Sequence, residues 1–479
     1  MSMLRQATAS SGLMALSLAT VSCCRFLRNF ILARMLLTSD FGIGATFSLT
    51  LTFLELITEM SPAKQLIQAK EGNQSVWQGV AHLIIIARGI LISAALFLAA
   101  GPIAHALNVP DAIFAFQYLA IVPLLRGFVH CDVFRFQREL RLGRLSAVEA
   151  VPELVSLACA PICAWWFGNY LAFLVLVLLS AALRTILSHF VAVRPYRIAW
   201  DRSVILRFLS FGWPLMGNGL LIFLVMHGER VLVAMNMSLS TLGAYSVALG
   251  LAFTPATLLA KLHGSVALPV FSKTKEDAAK FRRSFFSSAQ IMCMAAGMLA
   301  ILFLIAGAWL VGTLYGERYL IASQVIPWIG LLCAMRIVRT TPSQAAIAVG
   351  DTKIALISNL SRLVSFGAAA WLLTNGFDIA WVPACGFLGE LSAYLISISL
   401  LKWRHQLPVE VHLGCFATVA AAVAGVWMSA RVGIEMAVIP DPLAAAIGLV
   451  AFVVLAMARW KELRSLFQML VSTRRGVAR

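Results

Sequence analysis

Along the chain, apolar stretches of roughly 20 residues alternate with short polar connections about every 34 residues, the length at which one helix crosses a bilayer and turns back. Short segments of strictly alternating hydrophobicity, the mark of an outer-membrane barrel, do not recur. The pattern predicts fourteen spans, near residues 11–33, 41–63, 77–100, 113–134, 147–167, 170–192, 209–235, 242–270, 285–313, 320–348, 355–374, 379–401, 412–430 and 438–458. No connection exceeds about 16 residues, too short for a soluble catalytic domain on either face.

Charges in the connections test that count. Basic clusters fall at Lys64/Lys70, Arg135/Arg138/Arg141/Arg144, Arg194/Arg197/Arg202/Arg207, Lys273/Lys275/Lys280/Arg282/Arg283, Lys353, Lys402/Arg404 and the tail from Arg459 to Arg479. All of these are even-numbered connections or the tail. The odd-numbered ones carry Arg34, Arg318 and Arg431. Because cytoplasmic loops collect Lys and Arg, both termini are expected in the cytoplasm. The apolar run after Arg5 reads as the first span and not as a signal peptide, since Arg25 and Arg28 follow it at once.

The chain also repeats itself. At a shift of roughly 201 residues Ala33 falls on Ala234, Ser39 on Ser240 and Gly42 on Gly243. At about 207, Leu107 meets Leu314, Ala115 meets Ala322, Gln117 meets Gln324, Gln137 meets Gln344 and Gly143 meets Gly350. The expected architecture is therefore an all-α integral membrane protein of about fourteen transmembrane helices. It has two six-helix lobes, residues 1–200 and 201–405, related by a parallel repeat about an axis along the membrane normal, and two additional helices with a basic tail over 406–479.

Composition agrees. Hydrophobic residues make up 61% and charged residues 12%, about half the charge of a soluble domain; mean hydropathy is +0.88. A net charge of +17 would suggest nucleic acid in a soluble chain, but here it sits in alternate connections, so no nucleic-acid partner is expected. Nine cysteines lie in or beside apolar runs without paired spacing and read as buried free thiols.

The residues that carry a family resemblance are Leu239-Ser-Thr-Leu-Gly-Ala-Tyr-Ser-Val-Ala248, Pro255, the basic connection after Pro269-Val-Phe-Ser-Lys273, Leu314-Tyr-Gly-Glu-Arg-Tyr-Leu-Ile-Ala322, Phe41-Gly-Ile-Gly44 and Arg135-Phe-Gln-Arg-Glu-Leu-Arg141. In order, spacing and topology the chain resembles the polysaccharide transport family of oligosaccharide flippases, within the multidrug/oligosaccharidyl-lipid/polysaccharide superfamily. The resemblance implies two six-helix lobes around a central cavity in the bacterial inner membrane. It implies movement of a lipid-pyrophosphate-linked oligosaccharide for surface polysaccharide assembly, with polysaccharide polymerase and chain-length proteins as partners. Fourteen spans depart from the simplest twelve-span form, which leaves subfamily and sugar open.

Charges within spans are the candidate chemistry, because an ionised group at the bilayer centre costs about 2.5 kcal/mol or more and persists for pairing or function. Arg25 and Arg28 share one helical face, as do Arg336 and Arg339; Arg88, Arg126, Arg230, Lys261 and Arg362 lie on other spans. Arg25, Arg28, Arg88, Arg126, Arg230, Lys261, Arg336 and Arg339 are the candidates to line a cavity and hold two phosphates, for which the guanidinium fork is well shaped. Snorkelling to a headgroup region is the alternative for Arg28, Arg230 and Arg339 near helix ends.

Glu55 and Glu59 share a face, Glu229 adjoins Arg230, and Glu390 stands alone in mid-span; these four are the candidates for coupling to an H⁺ or Na⁺ gradient. Glu149 and Glu153 read as neutralising the neighbouring 135–144 cluster. His82, His105, His130, His227 and His263 occur singly and read as packed side chains. No Gly-rich phosphate loop, His-Glu-x-x-His, Cys-x-x-Cys or Gly-x-Ser-x-Gly occurs, so neither an enzyme nor a resident metal or cofactor is expected. Two rival functions remain: a cation-coupled drug exporter of the same superfamily, and a membrane-embedded polysaccharide polymerase or ligase, for which the large outer loop is missing.

Overall fold

A computed structural model describes residues 3–139 and 142–406, with three further positions at 420, 421 and 424. The expected spans near 412–430 and 438–458 lie outside the described residues. Every described element is helical. Nine helices among them are long and apolar enough to cross a membrane, or up to eleven if each of two bent pairs counts as one span. The protein is a multi-pass helical membrane protein.

The first compact unit is Met1–Ser246. It contains α1 (Met3–Met35), α2 (Thr38–Ile57), α3 (Pro62–Gln68), α4 (Ser75–Leu98), α5 (Ala100–Ala106), α6 (Ile113–Leu119), α7 (Ile121–Gly127), α8 (Asp132–Arg138), α9 (Leu142–Phe167), α10 (Leu171–Val191), α11 (Arg202–Asn236) and the start of α12 (Leu239–Thr274). The expected fourth span, near 113–134, is not one straight helix. Its axis turns by 56° between Pro110–Gly127 and Asp132–Arg138. Hydropathy alone cannot show such a break, since an average over neighbouring side chains carries no record of the direction of the helix axis.

The ends of α11 illustrate how the local sequence fixes an element. Asp201, in extended conformation, accepts from the backbone N–H of Ser203 and Val204 and so satisfies two of the free donors that open a helix. Inside the unit Phe47 is fully buried and meets Phe116 edge-on at 5.2 Å.

One close approach carries the repeat into three dimensions. A Cβ on Gly42 would lie 2.1 Å from the carbonyl oxygen of Leu239, and a Cβ on Gly243 would lie 2.1 Å from that of Thr38. Thr38 and Leu239 stand at the same shift as Gly42 and Gly243. The contact between these two helix starts is therefore reciprocal, and any side chain at either glycine would drive the backbones apart.

The second unit is Val247–Arg479. Its described part holds the rest of α12, α13 (Ala278–Tyr315), α14 (Ile326–Ala348), α15 (Thr352–Thr374) and α16 (Trp381–His405). Again one expected span is bent: the 3₁₀ segment Glu317–Gln324 meets α14 at 62°. Pro327, near the start of α14, loses no helical hydrogen bond there. Phe271, Phe281 and Phe285 form a buried aromatic cluster at one end of α12 and α13.

Among the described residues seven cysteines are free thiols, Cys23 among them exposed, while Cys293 is disulfide-bonded. This corrects the expectation of buried free thiols throughout. Spacing along the chain reveals only local cysteine pairs.

Candidate functional site: an arginine- and glutamate-lined cavity

The first unit encloses a cavity of about 270 Å³. It opens among α2, α4, α7 and α10, and its charged lining is Arg88, Arg126, Arg184, Glu55 and Glu59. Two sequence-adjacent pairs build it. Arg88 precedes Gly89 on α4 and Arg126 precedes Gly127 on α7. A Cβ on Gly89 would lie 2.8 Å from the Cα of Gly127 and from the carbonyl oxygen of Pro123, so only glycine lets the two helices cross this closely. The crossing sets both arginines beside one space.

Glu55 and Glu59 face those arginines from the end of α2 and just beyond it. Arg126 pairs with the Glu55 carboxylate. Arg88 donates to the backbone carbonyl of Glu55 at 2.8 Å and to Thr58 Oγ1 at 3.1 Å, and its Nη2 lies 3.5 Å from Glu59 Oε2. Glu59 also accepts from the backbone N–H and the hydroxyl of Ser61, both at 2.8 Å. Arg184 of α10 pairs with Glu149 of α9. Arg126 Nε is buried with no acceptor among the described residues, a donor that calls for a partner.

Arg25 and Arg28 lie on one face of α1, as their spacing requires, and both reach Glu153 of α9. Arg25 does so at 2.8 Å and Arg28 at 3.1 Å, with Ser156 as a second acceptor for Arg28 at 3.1 Å. Arg28 is thus a paired residue within the bundle and does not snorkel. Glu149 and Glu153 are likewise corrected, because they neutralise Arg184, Arg25 and Arg28 from other helices and not the 135–144 cluster. That cluster makes its own contacts: Arg135 binds Asp132 at 2.6 Å and Glu139 at 3.0 Å.

In the second unit Glu390 of α16 is fully buried. It receives Arg336 at 2.7 Å, Arg339 at 2.8 Å and also Arg362 of α15. The solitary glutamate of the sequence pattern is therefore the hub of three guanidinium groups. Arg339, expected near a helix end, stands in mid-helix. Arg336 also lies over the ring of Phe253, 4.9 Å from its centroid.

The remaining candidates are dispersed. Glu229 accepts from the Tyr245 hydroxyl at 2.8 Å, and Arg230 lies 2.6 Å from His227 Nδ1. Lys261 is exposed and makes no ion pair among the described residues. His82 and His130 are not isolated: their rings are 5.0 Å apart, and Tyr196 stacks against His82 at 4.1 Å. His82 accepts from the Cys131 backbone N–H at 2.9 Å and its other nitrogen lies 2.8 Å from the Arg197 carbonyl oxygen, so it pins the segment between α10 and α11. No group of three His, Cys, Asp or Glu side chains among the described residues is placed to hold a metal ion.

Sequence reasoning missed Arg184, although one signal was present: it is the single charge in an otherwise apolar α10.

Helices of this length and hydropathy among the described residues, with guanidinium groups and carboxylates paired between them, define a multi-pass α-helical membrane protein. The chain is similar in structure to the lipid II flippase MurJ in its inward closed conformation, at a TM-score of 0.71 and 12% identity, over 94% of this chain and 99% of that one. It is similar also to a multidrug resistance MATE family transporter of the MOP superfamily in an inward-facing conformation, at a TM-score of 0.62 and 13% identity, over 85% of this chain and 96% of that one. A family model described as polysaccharide biosynthesis protein matches residues 31–324, more than half of the chain, and the protein belongs to that family. Among relatives, the lipopolysaccharide biosynthesis protein WzxC of Escherichia coli (strain K12) is 22% identical over 321 residues; the match spans 65% of this chain and 63% of WzxC.

Proposed function

We propose that the protein flips a lipid-diphosphate-linked oligosaccharide from the cytoplasmic to the outer leaflet of a bacterial inner membrane, as a step in surface polysaccharide assembly. Both termini face the cytoplasm in this reading, as the basic connections require. The two six-helix lobes expected at 1–200 and 201–405 alternate access, drawing on an H⁺ or Na⁺ gradient. The protein does not itself make or break a covalent bond, and polysaccharide polymerase and chain-length proteins take up its product.

The observation that carries this reading is the cavity that sets Arg88, Arg126 and Arg184 around one space inside an apolar bundle. Burying three guanidinium groups is costly unless anions meet them, and the planar fork suits paired phosphate oxygens. Its size fits a charged headgroup and leaves the lipid chain to the bilayer. Membership of a polysaccharide biosynthesis family supplies the substrate class. A cation exporter would be expected to show acidic predominance, whereas three guanidinium groups here face two carboxylates.

The test is export in cells. Arg25→Ala, Arg88→Ala and Arg126→Ala, combined, are expected to abolish surface polysaccharide and to raise the pool of lipid-linked sugar, with the protein still present in the membrane. Full export from that triple variant would sink the arginine-cavity mechanism.

A further inference from the structure

Resting on the reading of the cavity as a diphosphate site, the geometry points to a second property of it. We propose that Glu55 and Glu59 are resident counter-ions which the incoming diphosphate displaces, and that each displaced carboxylate takes up a proton from water, so that anion and protons load together.

The argument begins with acceptors. Arg126 gives its Nη1 to Glu55, and Arg88 is shared between Glu59 and the backbone and hydroxyl groups at the end of α2. A guanidinium face that a carboxylate occupies is closed to a phosphate, and both anions seek the same paired donors. Substrate must therefore move the carboxylates aside. Both can move, since the Glu55 and Glu59 side chains are 37% and 38% exposed, unlike Glu390 at 1%.

Charge then bounds the proton count. Arg88 and Arg126 balance Glu55 and Glu59, while Arg184 is balanced by Glu149. A diphosphate diester carries two negative charges at neutral pH, and its entry leaves four anionic charges facing two cations. No other charged side chain lines the cavity; the further charges near Arg126 are Arg25 and Glu153, and Glu153 is shared between Arg25 and Arg28. Like charges this close in a poorly solvated space do not both stay ionised. One or both carboxylates become carboxylic acids, which brings the loaded cavity back towards neutrality. A site near neutrality in both legs of the cycle crosses the bilayer core without the full penalty of a net charge.

The experiment uses the full chain in lipid nanodiscs and a water-soluble dialkyl diphosphate, whose two ionised oxygens do not titrate near neutral pH. Binding heats are measured at one pH in two buffers of different ionisation enthalpy. The wild type is expected to take up between one and two protons per diphosphate bound. Glu55→Gln/Glu59→Gln is expected to bind about tenfold more tightly or better, with no proton uptake, and each single variant to lose part of it. The single variants keep the test open if the double variant does not fold. Binding by the wild type without proton uptake overturns the exchange, as does full uptake by the glutamine variants, and either result leaves the arginine site standing. The diphosphate site itself fails if Arg88→Ala/Arg126→Ala binds the diphosphate as the wild type does. Absence of wild-type binding overturns both.

Discussion

The two buried charge clusters of this protein use the same residue types to opposite ends. In the first unit five arginines and four glutamates are spread over six helices and the start of one connection, and five of these side chains, Arg88, Arg126, Arg184, Glu55 and Glu59, border a cavity; the Arg126, Glu55 and Arg184 side chains keep about a third of their surface exposed. In the second unit three arginines converge on one glutamate that has no exposed surface to speak of. An ion pair with one open side can exchange partners. A sealed one, with several donors on one acceptor, can only hold its helices in place, because removing any member strands the others in a medium that does not solvate them. Glu390, one of the expected candidates for ion coupling, is sealed by three guanidinium groups, whereas the Glu55 and Glu59 side chains keep more than a third of their surface exposed.

That contrast is sharpest at Glu390. Glu390→Ala leaves Arg336, Arg339 and Arg362 facing one another, a loss of about 3–5 kcal/mol. The expected outcome is a steep fall in the amount of folded protein in the membrane, read by immunoblot and by thermal melting of the purified chain. A Glu390→Gln variant that keeps normal abundance and melting but loses export would break the comparison and return Glu390 to the transport machinery.

Next in size is the cavity. Arg126→Ala or Arg88→Ala alone removes a charge-assisted contact of about 1.5–3 kcal/mol, so export is expected to drop about ten- to a hundredfold at unchanged abundance. Arg126→Lys and Arg88→Lys should recover only part of it, since lysine keeps the charge and loses the fork. Full recovery with lysine would mean that the cavity needs only positive potential.

Lys261 tests the comparison from outside both clusters. It is exposed and unpaired among the described residues, and Lys261→Ala is expected to change export by no more than about twofold, within the range of exposed charges. A larger loss would extend the site beyond the cavity.

The smallest effect belongs to the Asp351–Arg404 pair at 2.8 Å, in the second unit. The hydrogen bond from Arg404 holds the Asp351 carboxyl below the usual carboxylate range. A depressed folded-state pKa contributes stability that is present above the unfolded value, near 3.9, and is lost as pH falls through the lower folded one. Asp351→Asn should therefore leave melting at pH 7 nearly unchanged and flatten its acid dependence below about pH 4. An unaltered acid limb would assign that dependence to other carboxylates.

The sequence by itself determined where the chain is apolar enough to cross a membrane: twelve expected spans fall on helical segments of the described residues, and nine to eleven of those segments have the length and hydropathy of a crossing. Hydropathy is a local sum over neighbouring side chains, so one stretch of chain suffices to show it. It determined also that Arg25 and Arg28, and Arg336 and Arg339, share helical faces, because three residues make most of a turn. Pairing was left to the tertiary structure. Glu153 meets Arg25 across 128 positions and Glu390 meets Arg336 across 54, contacts fixed by how helices cross and not by any spacing along them. The Gly89–Gly127 approach decides that Arg88 and Arg126 share one cavity, and the exposure of each carboxylate decides whether it can let go. Those are properties of a packed interior, and a residue's neighbours in sequence carry no record of them.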